Sequence, residues 1–232
     1  MDITILAPAY NEEAIIDRFI NQVASVLEKN YNTWEVLIVN DGSTDATEAR
    51  VKAFMDVYPE HITCITHPVN QGLGAGLETG FKYAKGNVIV TMDADCTQDA
   101  NLIPQLTNEI SNDTGVVIAS RYVKGGGMKN VPPHRLLYSK LGNLFFRILF
   151  GLPSRDISSG FRAYRKDLVK RLSCLSPGFE VQVDILRRVK QLTKIKEYPF
   201  VLVDRTVGVS KMRYGKLLKA YFKLFTKKNE HN

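Results

Sequence analysis

Two aspartates, one residue apart, are the side chains of this chain best suited to chemistry. Asp93 and Asp95 end the segment NVIVTMDAD, whose run from Val88 to Met92 predicts a strand buried on both faces. In open α/β sheets, ligands bind at the carboxyl ends of the strands. Crowded carboxylates favour a shared cation, and Mg²⁺ is typically held by one or two carboxylates together with substrate phosphates. The alternative is a strand end followed by a capping aspartate, which a lone DxD pattern would favour.

Strands and helices alternate along the first half of the chain, and this order predicts how the aspartates are positioned. Repeated β-α units with short loops predict a mostly parallel sheet with helices on both faces. The predicted strands are Ile3–Ala7, Trp34–Val39, His61–Thr66, Val88–Met92 and Val116–Ala119. The predicted helices are Asn11–Lys29, Asp45–Val57, Gly72–Lys85 and Leu102–Ser111. Later patterns predict helices over Arg135–Phe150 and Phe179–Leu186 and a strand over Tyr198–Val203.

Polar or glycine-rich loops follow each of the first four strands. They are PAYNEE at 8–13, NDGSTD at 40–45, NQGLGAG at 70–76 and DAD at 93–95. Because the carboxyl ends of parallel strands meet at one edge of a sheet, we expect these loops to form one rim. The glycine spacing of the third loop is GxGxG, and a dinucleotide-binding turn has GxGxxG after the first strand. A dinucleotide-binding oxidoreductase is therefore a poor fit.

The composition indicates a folded protein with one domain, or one domain and an extension. Of the 232 residues, 44% are apolar and 24% are charged, which is ordinary for a folded protein and unlike a disordered one. No apolar run approaches the roughly 18 residues of a spanning helix, and the first residues lack the basic start of a signal peptide. The cysteines, Cys64, Cys96 and Cys174, are few and widely spaced, so we expect a reducing cytosolic setting without disulfides or a zinc site.

Charge divides the chain into two halves. Residues 1–120 contain 6 basic and 17 acidic side chains, whereas residues 121–232 contain 25 basic and 7 acidic ones. We expect the basic half to face an anion, and nucleic acid, a phosphorylated ligand and an anionic membrane surface all qualify.

Taken together, the four rim loops resemble those of glycosyltransferase family 2, which has the GT-A fold. The resemblance is closest to the branch that attaches sugars to polyprenyl phosphates, such as dolichyl-phosphate mannosyltransferases and bactoprenol glucosyltransferases, and it extends from Ile3 to about Met212. It implies a nucleotide-sugar donor and a metal, Mg²⁺ or Mn²⁺, on Asp93 and Asp95. The donor-binding residues that it implies are Pro8, Tyr10, Glu12, Asp41, Asp93, Ala94, Asp95, Arg205 and Lys211.

The resemblance also assigns roles to these residues. The first loop contacts the nucleotide, Asp41 binds its base or ribose, and Asp95 is the more direct metal ligand. Arg205 and Lys211, in the late motif RxxGxSK, neutralise the donor diphosphate. The residues it implies in catalysis are Asp95, Arg121 and Arg205.

The chain departs from the family pattern in several places. The usual double acid of the second loop is Asn40-Asp41 here, and Thr97 stands where a glutamine often assists the metal. Asp184 stands where the family usually has glutamate. The departures in the loops bear on the details of metal coordination and leave the site itself in place, whereas Asp184 belongs to a helix that lies near the acceptor site in the family.

The basic half supplies candidates for holding an anionic acceptor. Arg121 follows the fifth strand, where a guanidinium suits bidentate phosphate binding, although a salt bridge to a rim acid competes with that interpretation. The resemblance implies that the helix Arg135–Phe150 lies at a membrane interface. It also implies that Arg121, Arg135 and Ser139 contact the phosphate of a lipid acceptor.

The two sides of that helix differ in character. Lys140, Asn143 and Arg147 lie on the same broad polar side as Arg135 and Ser139. The opposite side consists of Leu137, Leu141, Leu144, Phe145 and Ile148. By base rates, the default interpretation is a helix packed on the sheet with a wet polar face.

The segment RDISSGFRAYRKDL, at 155–168, matches a family stretch that closes the catalytic rim. A turn followed by the start of a helix explains much of its local pattern. Asp156 and Arg162 are candidates for structural ion pairs.

The tail has the pattern of a basic amphipathic helix, which is typical of an interfacial membrane helix. Its apolar arc contains Leu217, Leu218, Tyr221, Phe222, Leu224 and Phe225, and its opposite arc contains Lys216, Lys219, Lys223 and Lys227. The alternatives are a helix docked on the domain or one that binds a partner's transmembrane segment. We expect a peripheral protein on the cytoplasmic face of a membrane, bound directly or through a membrane partner subunit.

These observations predict one GT-A domain at 1–212, with a donor-binding half at 1–120 and an acceptor-binding half at 121–212, followed by a juxtamembrane tail at 213–232. The predicted reaction is inverting transfer of a hexose from a nucleotide diphosphate to a polyprenyl or dolichyl monophosphate. A phosphate is largely ionised near neutral pH, so no strong general base is required. GDP-mannose is slightly preferred over UDP-glucose as the donor.

Two alternatives remain open from the sequence. One is a family 2 transferase acting on a soluble or polysaccharide acceptor, against which the basic amphipathic helices count. The other is a non-catalytic protein that binds a nucleotide sugar or a nucleic acid. The nucleic-acid interpretation has no recognisable binding motif and leaves the acidic rim unexplained.

Overall fold

The computed structural model describes residues 1–203 together with Tyr221 and Leu224, except for the side chains of His134 and Arg135. A seven-stranded sheet organises this part of the chain, with strand order β3-β2-β1-β4-β7-β5-β8. All neighbouring strands are parallel except β7, which runs antiparallel between β4 and β5. The expected mixed α/β architecture with a mostly parallel sheet is confirmed.

The strands of this sheet are β1 Ile3–Ala9, β2 Trp34–Asn40, β3 Ile62–Thr66, β4 Val88–Thr91, β5 Thr114–Ser120, β7 Arg162–Arg165 and β8 Lys194–Pro199. A separate parallel pair consists of β6 Gly127–Lys129 and β9 Val201–Val203. The helices are α1 Ile16–Asn30, α2 Thr47–Val57, α3 Leu73–Tyr83, α4 Ile103–Asn108, α5 Pro133–Phe150, α6 Lys166–Val169 and α7 Val181–Val189. A short 3₁₀ turn, Ala100–Leu102, precedes α4.

Two hydrophobic cores lie on opposite faces of the sheet, because successive side chains of a strand point to opposite faces. On β1, Ile3 and Ile5 join the core that contains residues of α1, α2 and α4, whereas Leu6 joins the core that contains residues of α3, α5, α6 and α7. The central strands are therefore apolar on both faces, as the pattern of β-branched residues predicts.

The helix predicted from Asn11 begins later, at Ile16, because residues 10–15 form a rim loop. Asn11 has a positive φ of 52°, which an α-helix does not accommodate. Similarly, α2 begins at Thr47 and not at Asp45. The side chain of Asp45 instead accepts a hydrogen bond from the Thr47 amide at 3.0 Å, next to the helix start.

Two strands of the central sheet differ from the sequence pattern. Strand β8, Lys194–Pro199, overlaps the predicted strand Tyr198–Val203 only at its end, and β7 is not predicted at all. For β7 the reason lies in its residues. Its sequence is RAYR, and two arginines in four residues do not resemble a buried strand. The structure buries Arg162 completely, and its guanidinium donates to the carbonyls of Ile157 and Gln182 at 2.8 Å each. Backbone carbonyls thus supply the polar partners that this buried cation requires. The insertion of β7 also brings residues 156–161 to the rim of the sheet.

Candidate active site

The paired aspartates lie just beyond the carboxyl end of β4, and each carboxylate is held within its own loop. Gln98, which is 6% exposed, donates from Nε2 to Asp93 Oδ2 at 2.8 Å. Its Oε1 accepts the Asp93 amide at 3.1 Å. The hydroxyl and amide of Thr97 donate to Asp95 Oδ1 at 2.7 and 3.0 Å.

The sequence comparison places Thr97 where a glutamine is expected, and the structure resolves this departure. Gln98, one position later, supplies the amide, and Thr97 separately fixes the second carboxylate. The sequence does contain a glutamine after the acids, in DADCTQ, but one residue later than the position at which the family usually has it. Cys96, which lies between Asp95 and Thr97, has a positive φ of 56°, and the chain turns there, where Thr97 and Gln98 come back to contact the two acids.

Gly160 brings the second half of the chain close to Asp93. The residue precedes β7, and its carbonyl accepts the Thr91 hydroxyl at 2.6 Å. A Cβ atom at this position would lie 3.3 Å from Asp93 Oδ1 and 3.3 Å from Nε2 of Gln182. The absent side chain therefore leaves room beside the acid.

The first two rim loops are joined by reciprocal hydrogen bonds. The amide of Asn11 donates to the Ser43 hydroxyl at 2.9 Å, and the amide of Glu12 donates to the Thr47 hydroxyl at 2.8 Å. In return, the Glu13 carboxylate accepts the amide of Ala46 at 2.8 Å. These contacts fix the loop of Tyr10 and Glu12, whose side chains are half-buried. Two loops that are distant in the sequence thus form one continuous edge.

Asp45 belongs to the same set of contacts. Its carboxylate accepts the Glu13 amide at 3.2 Å and the Thr47 hydroxyl at 2.5 Å. Burial raises the pKa of this carboxyl, but the hydrogen bonds from Thr47 and Glu13 lower it by more, so the pKa lies below its usual value.

Asp41 is engaged by the protein itself. It is 4% exposed, and its carboxylate accepts hydrogen bonds from the amides of Gln71 and Gly72 at 2.9 and 2.8 Å. His67 Nδ1 contacts the same carboxylate at 2.7 Å. The expected base or ribose contact by Asp41 stays a prediction, and the observed contacts hold the third loop against the second. His67, whose other ring nitrogen contacts Thr79 at 2.9 Å, was not identified from the sequence.

The other residues expected to bind the donor are packed to different degrees. Pro8 is half-buried at the end of β1 and lies beneath Gly76, where a Cβ would be 3.1 Å from the Pro8 ring. Ala94, between the two acids, is only 3% exposed. In the third loop, a Cβ on Gly74 would overlap the carbonyl oxygen of Ser176. That glycine therefore serves the packing of α3.

Arg121 forms a buried ion pair with Asp156. Its Nε and Nη2 atoms each donate to the Asp156 carboxylate at 2.7 Å, and Nη2 also donates to Ser158 at 2.9 Å. Burial lowers the pKa of the guanidinium, but the charge and hydrogen bonds of Asp156 more than offset this, so the pKa lies above its usual value. The sequence leaves open whether Arg121 binds a phosphate or forms a salt bridge to an acid of the rim. Arg121 does form a salt bridge, but its partner is Asp156, which lies in the segment 155–168.

The two candidates for structural ion pairs in residues 155–168 have different outcomes. Asp156 is completely buried and pairs with Arg121. Arg162 bonds to backbone carbonyls, as described above, and makes no ion pair with Asp156. Asp184, on α7, pairs with Arg188 at 2.9 Å and accepts the Ser176 hydroxyl at 3.0 Å.

Helix α5 reaches this ion pair through Asn143. The Asn143 side chain accepts the amide of Ile157 at 3.0 Å and donates to Ser158 at 3.1 Å. Ser139, one turn earlier, contacts the Tyr122 hydroxyl at 2.6 Å. Ser139 and Arg121 therefore lie at neighbouring points of one polar network, as their expected shared role requires.

The default interpretation of α5 is a helix that packs on the sheet and exposes its polar side to solvent. In the structure, the apolar side is the exposed one. The helix contacts the core through Asn143, Phe146 and Phe150, which are at most 7% exposed. The five apolar residues of the opposite side, which we call the outer stripe, are each at least 50% exposed: Leu137, Leu141, Leu144, Phe145 and Ile148. Exposed apolar surface of this extent marks an interaction site.

A cleft of about 400 Å³ lies beside the ion pair, between α5 and the loop after β5. Four cationic side chains line it: Arg121, Lys140, Arg147 and Arg155. Tyr122 and Leu144 also contribute to its wall. We call this feature the basic cleft.

The donor set at the rim fits a hard divalent cation. Within residues 1–203, no group of three or more His, Cys, Asp or Glu side chains is arranged to hold a metal ion. Asp93 and Asp95 are thus a two-carboxylate set. This suits Mg²⁺ or Mn²⁺, which fill their remaining positions with water and phosphate oxygens.

Three of the expected site residues fall outside the described part of the chain. They are Arg205, Lys211 and the side chain of Arg135. Most of the predicted tail helix falls outside it as well. Of its apolar arc, Tyr221 and Leu224 are described, and both are buried against the domain. The Tyr221 ring lies 4.4 Å from that of Phe146, and the Leu224 carbonyl accepts a hydrogen bond from Arg187 at 2.6 Å.

Within the described residues, no helix is both long enough and apolar enough to cross a membrane.

Comparisons with known proteins identify the family of this chain. The family model described as Glycosyl transferase family 2 matches residues 4–173. A dolichol-phosphate mannosyltransferase of Pyrococcus furiosus is 35% identical over 228 residues, and the match covers 96% of this chain and 62% of that protein. A polyprenol monophosphomannose synthase of Mycolicibacterium smegmatis is 30% identical over 227 residues, with 95% and 84% covered. The chain therefore spans less than two thirds of the archaeal relative.

Solved structures show the same fold. Glucosyl-3-phosphoglycerate synthase from Mycobacterium tuberculosis, in complex with Mn²⁺, uridine diphosphate and phosphoglyceric acid, has a TM-score of 0.69 and 19% identity. The match covers 96% of this chain and 75% of that one. The same enzyme with Mg²⁺ and uridine diphosphate has a TM-score of 0.68 and 20% identity, with 96% and 76% covered. At this identity the likeness concerns the fold alone.

Proposed function

The chain belongs to glycosyl transferase family 2, and from that premise we propose that it transfers mannose from a nucleotide diphosphate to a polyprenyl or dolichyl monophosphate. Two relatives that match almost the whole chain are named for mannose transfer to dolichol phosphate and for polyprenol monophosphomannose synthesis. They support mannose over glucose, and GDP-mannose is the donor that we propose. We propose that residues 1–120 form most of the donor site, and that residues 121–212 form the acceptor site and add Arg205 and Lys211 to the diphosphate site.

The observation that carries this proposal is the pair of carboxylates at the end of β4, each held by a residue of its own loop. The solved relatives with this fold hold Mn²⁺ or Mg²⁺ together with uridine diphosphate. We propose that Asp93 and Asp95 hold such an ion, which stabilises negative charge on the departing diphosphate. Gln98 and Thr97 orient the two carboxylates before the ligand arrives. Arg205 and Lys211 complete the diphosphate site.

Arg121 is suited to hold the acceptor phosphate. Asp156 and Ser158 occupy its Nε and Nη2 atoms, and among the described residues nothing accepts a hydrogen bond from Nη1. The side chain is 14% exposed, so this part of the guanidinium can donate to a phosphate oxygen. The ion pair with Asp156 fixes the direction of that donor, and Ser139 and Arg135 complete the acceptor site.

The chain needs no general base in the proposed reaction. A phosphomonoester has a second pKa near 6, so the acceptor oxygen is already ionised near neutral pH. This oxygen forms a bond to the anomeric carbon while the bond from that carbon to the diphosphate breaks, and the configuration inverts. The protein contributes by holding the two anions in line and by excluding water.

The outer stripe of α5 supports action at a membrane surface. Its five apolar side chains are exposed beside a cleft lined with cations, and a polyprenyl chain must leave the acceptor site along an apolar path. We propose that the protein lies on the cytoplasmic face of a membrane with α5 in the interface.

The proposal is tested by measuring formation of lipid-linked mannose from labelled GDP-mannose in neutral vesicles that contain a polyprenyl phosphate. UDP-glucose serves as the competing donor. Asp95→Ala should reduce the rate at least about a hundredfold, because it removes a proposed metal ligand. Asp99→Ala is a matched control, since Asp99 lies in the same loop and its carboxylate contacts only Asn101. A near wild-type rate for Asp95→Ala would refute the proposed role of the rim.

A further inference from the structure

We infer that the basic cleft binds the phosphate headgroup of an anionic phospholipid, at a place separate from the acceptor phosphate. The inference rests on the proposed function in one respect, namely that the protein works at a membrane surface. The occupant is an ordinary phospholipid of that membrane and is neither donor nor acceptor in the transfer.

The first support is positive charge that the protein does not compensate. Lys140, Arg147 and Arg155 line the cleft, and no carboxylate within the described part of the chain forms an ion pair with any of them. Among the other surface cations of the described residues, Arg50 pairs with Asp17 and Arg165 pairs with Asp167, whereas Lys29, Lys82 and Lys170 have no ion pair either. What distinguishes Lys140, Arg147 and Arg155 is that they line one cleft together.

The sequence explains why these cations lack acidic neighbours. Between Asp113 and Asp156 the chain contains no acidic residue, and this stretch includes the whole of α5. Glu197 does contact Arg155, but through the backbone. Its carboxylate accepts hydrogen bonds from the backbone amides of Arg155 and Asp156 at 2.8 and 3.0 Å. That carboxylate is thus directed to the backbone. Cations gathered in a concave surface attract anions more strongly than the same charges spread over a convex one.

The second support is the shape of the cleft. Its volume of about 400 Å³ lies within the range of roughly 300–1,000 Å³ that is usual for small-ligand sites. Lys140 and Arg147 are seven residues apart on α5 and therefore lie about 10 Å apart on nearly the same side of the helix. Arg155 follows the end of the helix and lines the same cleft. A phosphate between them can contact more than one cation.

The third support identifies the anion as part of a lipid. Leu144 lines the basic cleft and also belongs to the outer stripe, where it is 50% exposed. An anion bound in the cleft therefore lies next to apolar surface that can receive acyl chains. Inorganic phosphate is also an anion, but it has no apolar part to place on that surface.

The cleft is also distinct from the acceptor site that we propose. Ser139 does not line it, and the Ser139 hydroxyl is bonded to Tyr122. Arg121 lines the cleft as well, but Asp156 and Ser158 occupy its Nε and Nη2 atoms, and Nη1 is the donor that we assign to the acceptor phosphate. The remaining three cations of the cleft have no part in the proposed transfer, and an acceptor phosphate held by Arg121 and Arg135 leaves them available.

The experiment compares binding to neutral phosphatidylcholine vesicles with binding to vesicles that also contain phosphatidylglycerol, without any acceptor lipid. The triple variant K140Q/R147Q/R155Q is set against K29Q/K82Q/K170Q, which removes the same charge from exposed positions elsewhere. At about 1 kcal/mol for each cation near an anionic surface, the cleft variant should bind phosphatidylglycerol vesicles at least about tenfold more weakly. The control variant should lose much less. Equal losses in the two variants would overturn the inference.

Two further arms identify the source of the phosphate. Glycerol 3-phosphate should compete with the vesicles only weakly, and efficient competition would show a site for a soluble phosphate. The KM for the polyprenyl phosphate acceptor in neutral vesicles should be unchanged in the cleft variant. A KM that rises in parallel with the loss of vesicle binding would show that the cleft is the acceptor's own site, and the inference would be wrong.

The inference and the proposed function fail separately. If the wild type forms no lipid-linked sugar but still prefers phosphatidylglycerol through the cleft residues, only the proposed function fails. Thermal unfolding checks that the variants are folded. Should the triple variant unfold early, K140Q/R155Q replaces it, because both side chains are exposed and the contact of Arg147 Nε with the Leu152 carbonyl, at 3.4 Å, is kept.

Discussion

The proposed donor rim and the proposed acceptor side of this molecule are built in opposite ways. At the rim, Asp93 and Asp95 are held by residues two to five positions away in the same loop, and both acids remain half-buried. On the acceptor side, Arg121 depends on Asp156, which lies 35 residues away and is completely buried. Local contacts prepare the first region, whereas long-range packing assembles the second.

Because of this difference, substitutions in one region should mainly change activity, whereas substitutions in the other should also change stability. Acids that are held locally and face solvent can be removed with little effect on the fold, so their substitution should affect chemistry. A buried ion pair that joins the end of β5 to the segment before β7 holds the tertiary structure together as well as the site. Mutations on the two sides should therefore differ in which measurement they change.

The largest effect is expected from Asp156→Ala. The substitution leaves the guanidinium of Arg121 buried without its partner, which typically costs about 3–5 kcal/mol. Urea denaturation of the variant should show a free energy of unfolding lowered by that amount, while Asp95→Ala should lower it by less than about 1 kcal/mol. Equal losses in the two variants would contradict the division between the regions.

A smaller effect, on metal binding and not on unfolding, is expected from Gln98→Ala. Removing a side chain that orients a metal ligand typically costs about 10–100-fold in metal affinity or activity. Titration with Mn²⁺ in the presence of donor should show this loss, and Gln98→Glu should not restore it, because a carboxylate cannot donate to Asp93. An unchanged metal affinity would assign Gln98 to packing alone.

Asn143→Ala tests the connection between α5 and the acceptor side. The Ile157 amide loses its partner in a buried position, which costs roughly 1–2 kcal/mol in unfolding free energy. The KM for the acceptor should also rise because Ser158 and Arg121 lose a neighbour, while donor binding stays near that of the wild type. A change in donor binding of similar size would mean that the two regions are not separable.

The smallest effect concerns Asp45, whose pKa is lowered in the folded protein. A carboxyl with a depressed pKa stabilises the fold above its unfolded-state pKa, near 3.8, and loses that contribution as the pH falls through the folded value. The stability difference between the wild type and Asp45→Asn should therefore be a few tenths of a kcal/mol at neutral pH and narrow below about pH 4. A difference that widens in acid would contradict the assigned direction.

The pattern of the chain was sufficient to predict most of the sheet and the donor rim. The apolar strands β1, β2 and β4 are buried on both faces, and such runs are recognisable without knowledge of their neighbours. The DAD loop could be located because it directly follows one of them. Strand β7 could not be predicted, because two arginines in four residues are acceptable in a sheet only when distant carbonyls receive Arg162.

Helix α5 shows the limit of such patterns most clearly. Its periodicity correctly separates a polar from an apolar side, but the default orientation is wrong. Asn143 faces inwards because its side chain forms hydrogen bonds with the Ile157 amide and the Ser158 hydroxyl. Phe146 and Phe150 are buried in the core on the same side of the helix. Which side of an amphipathic helix faces the protein depends on what the rest of the chain presents, and periodicity carries no information on that.

By itself, the sequence determined the alternation of strands and helices, the acids at the end of β4, and the separation of acidic and basic halves. These properties depend on residues that are close in the chain, so local patterns record them. Only the tertiary structure decided that Asp156 neutralises Arg121, that Gln98 orients Asp93, and that α5 turns its apolar stripe outwards. Burial decided the first and the last of these, because a buried charge or amide must find a partner wherever the fold can supply one.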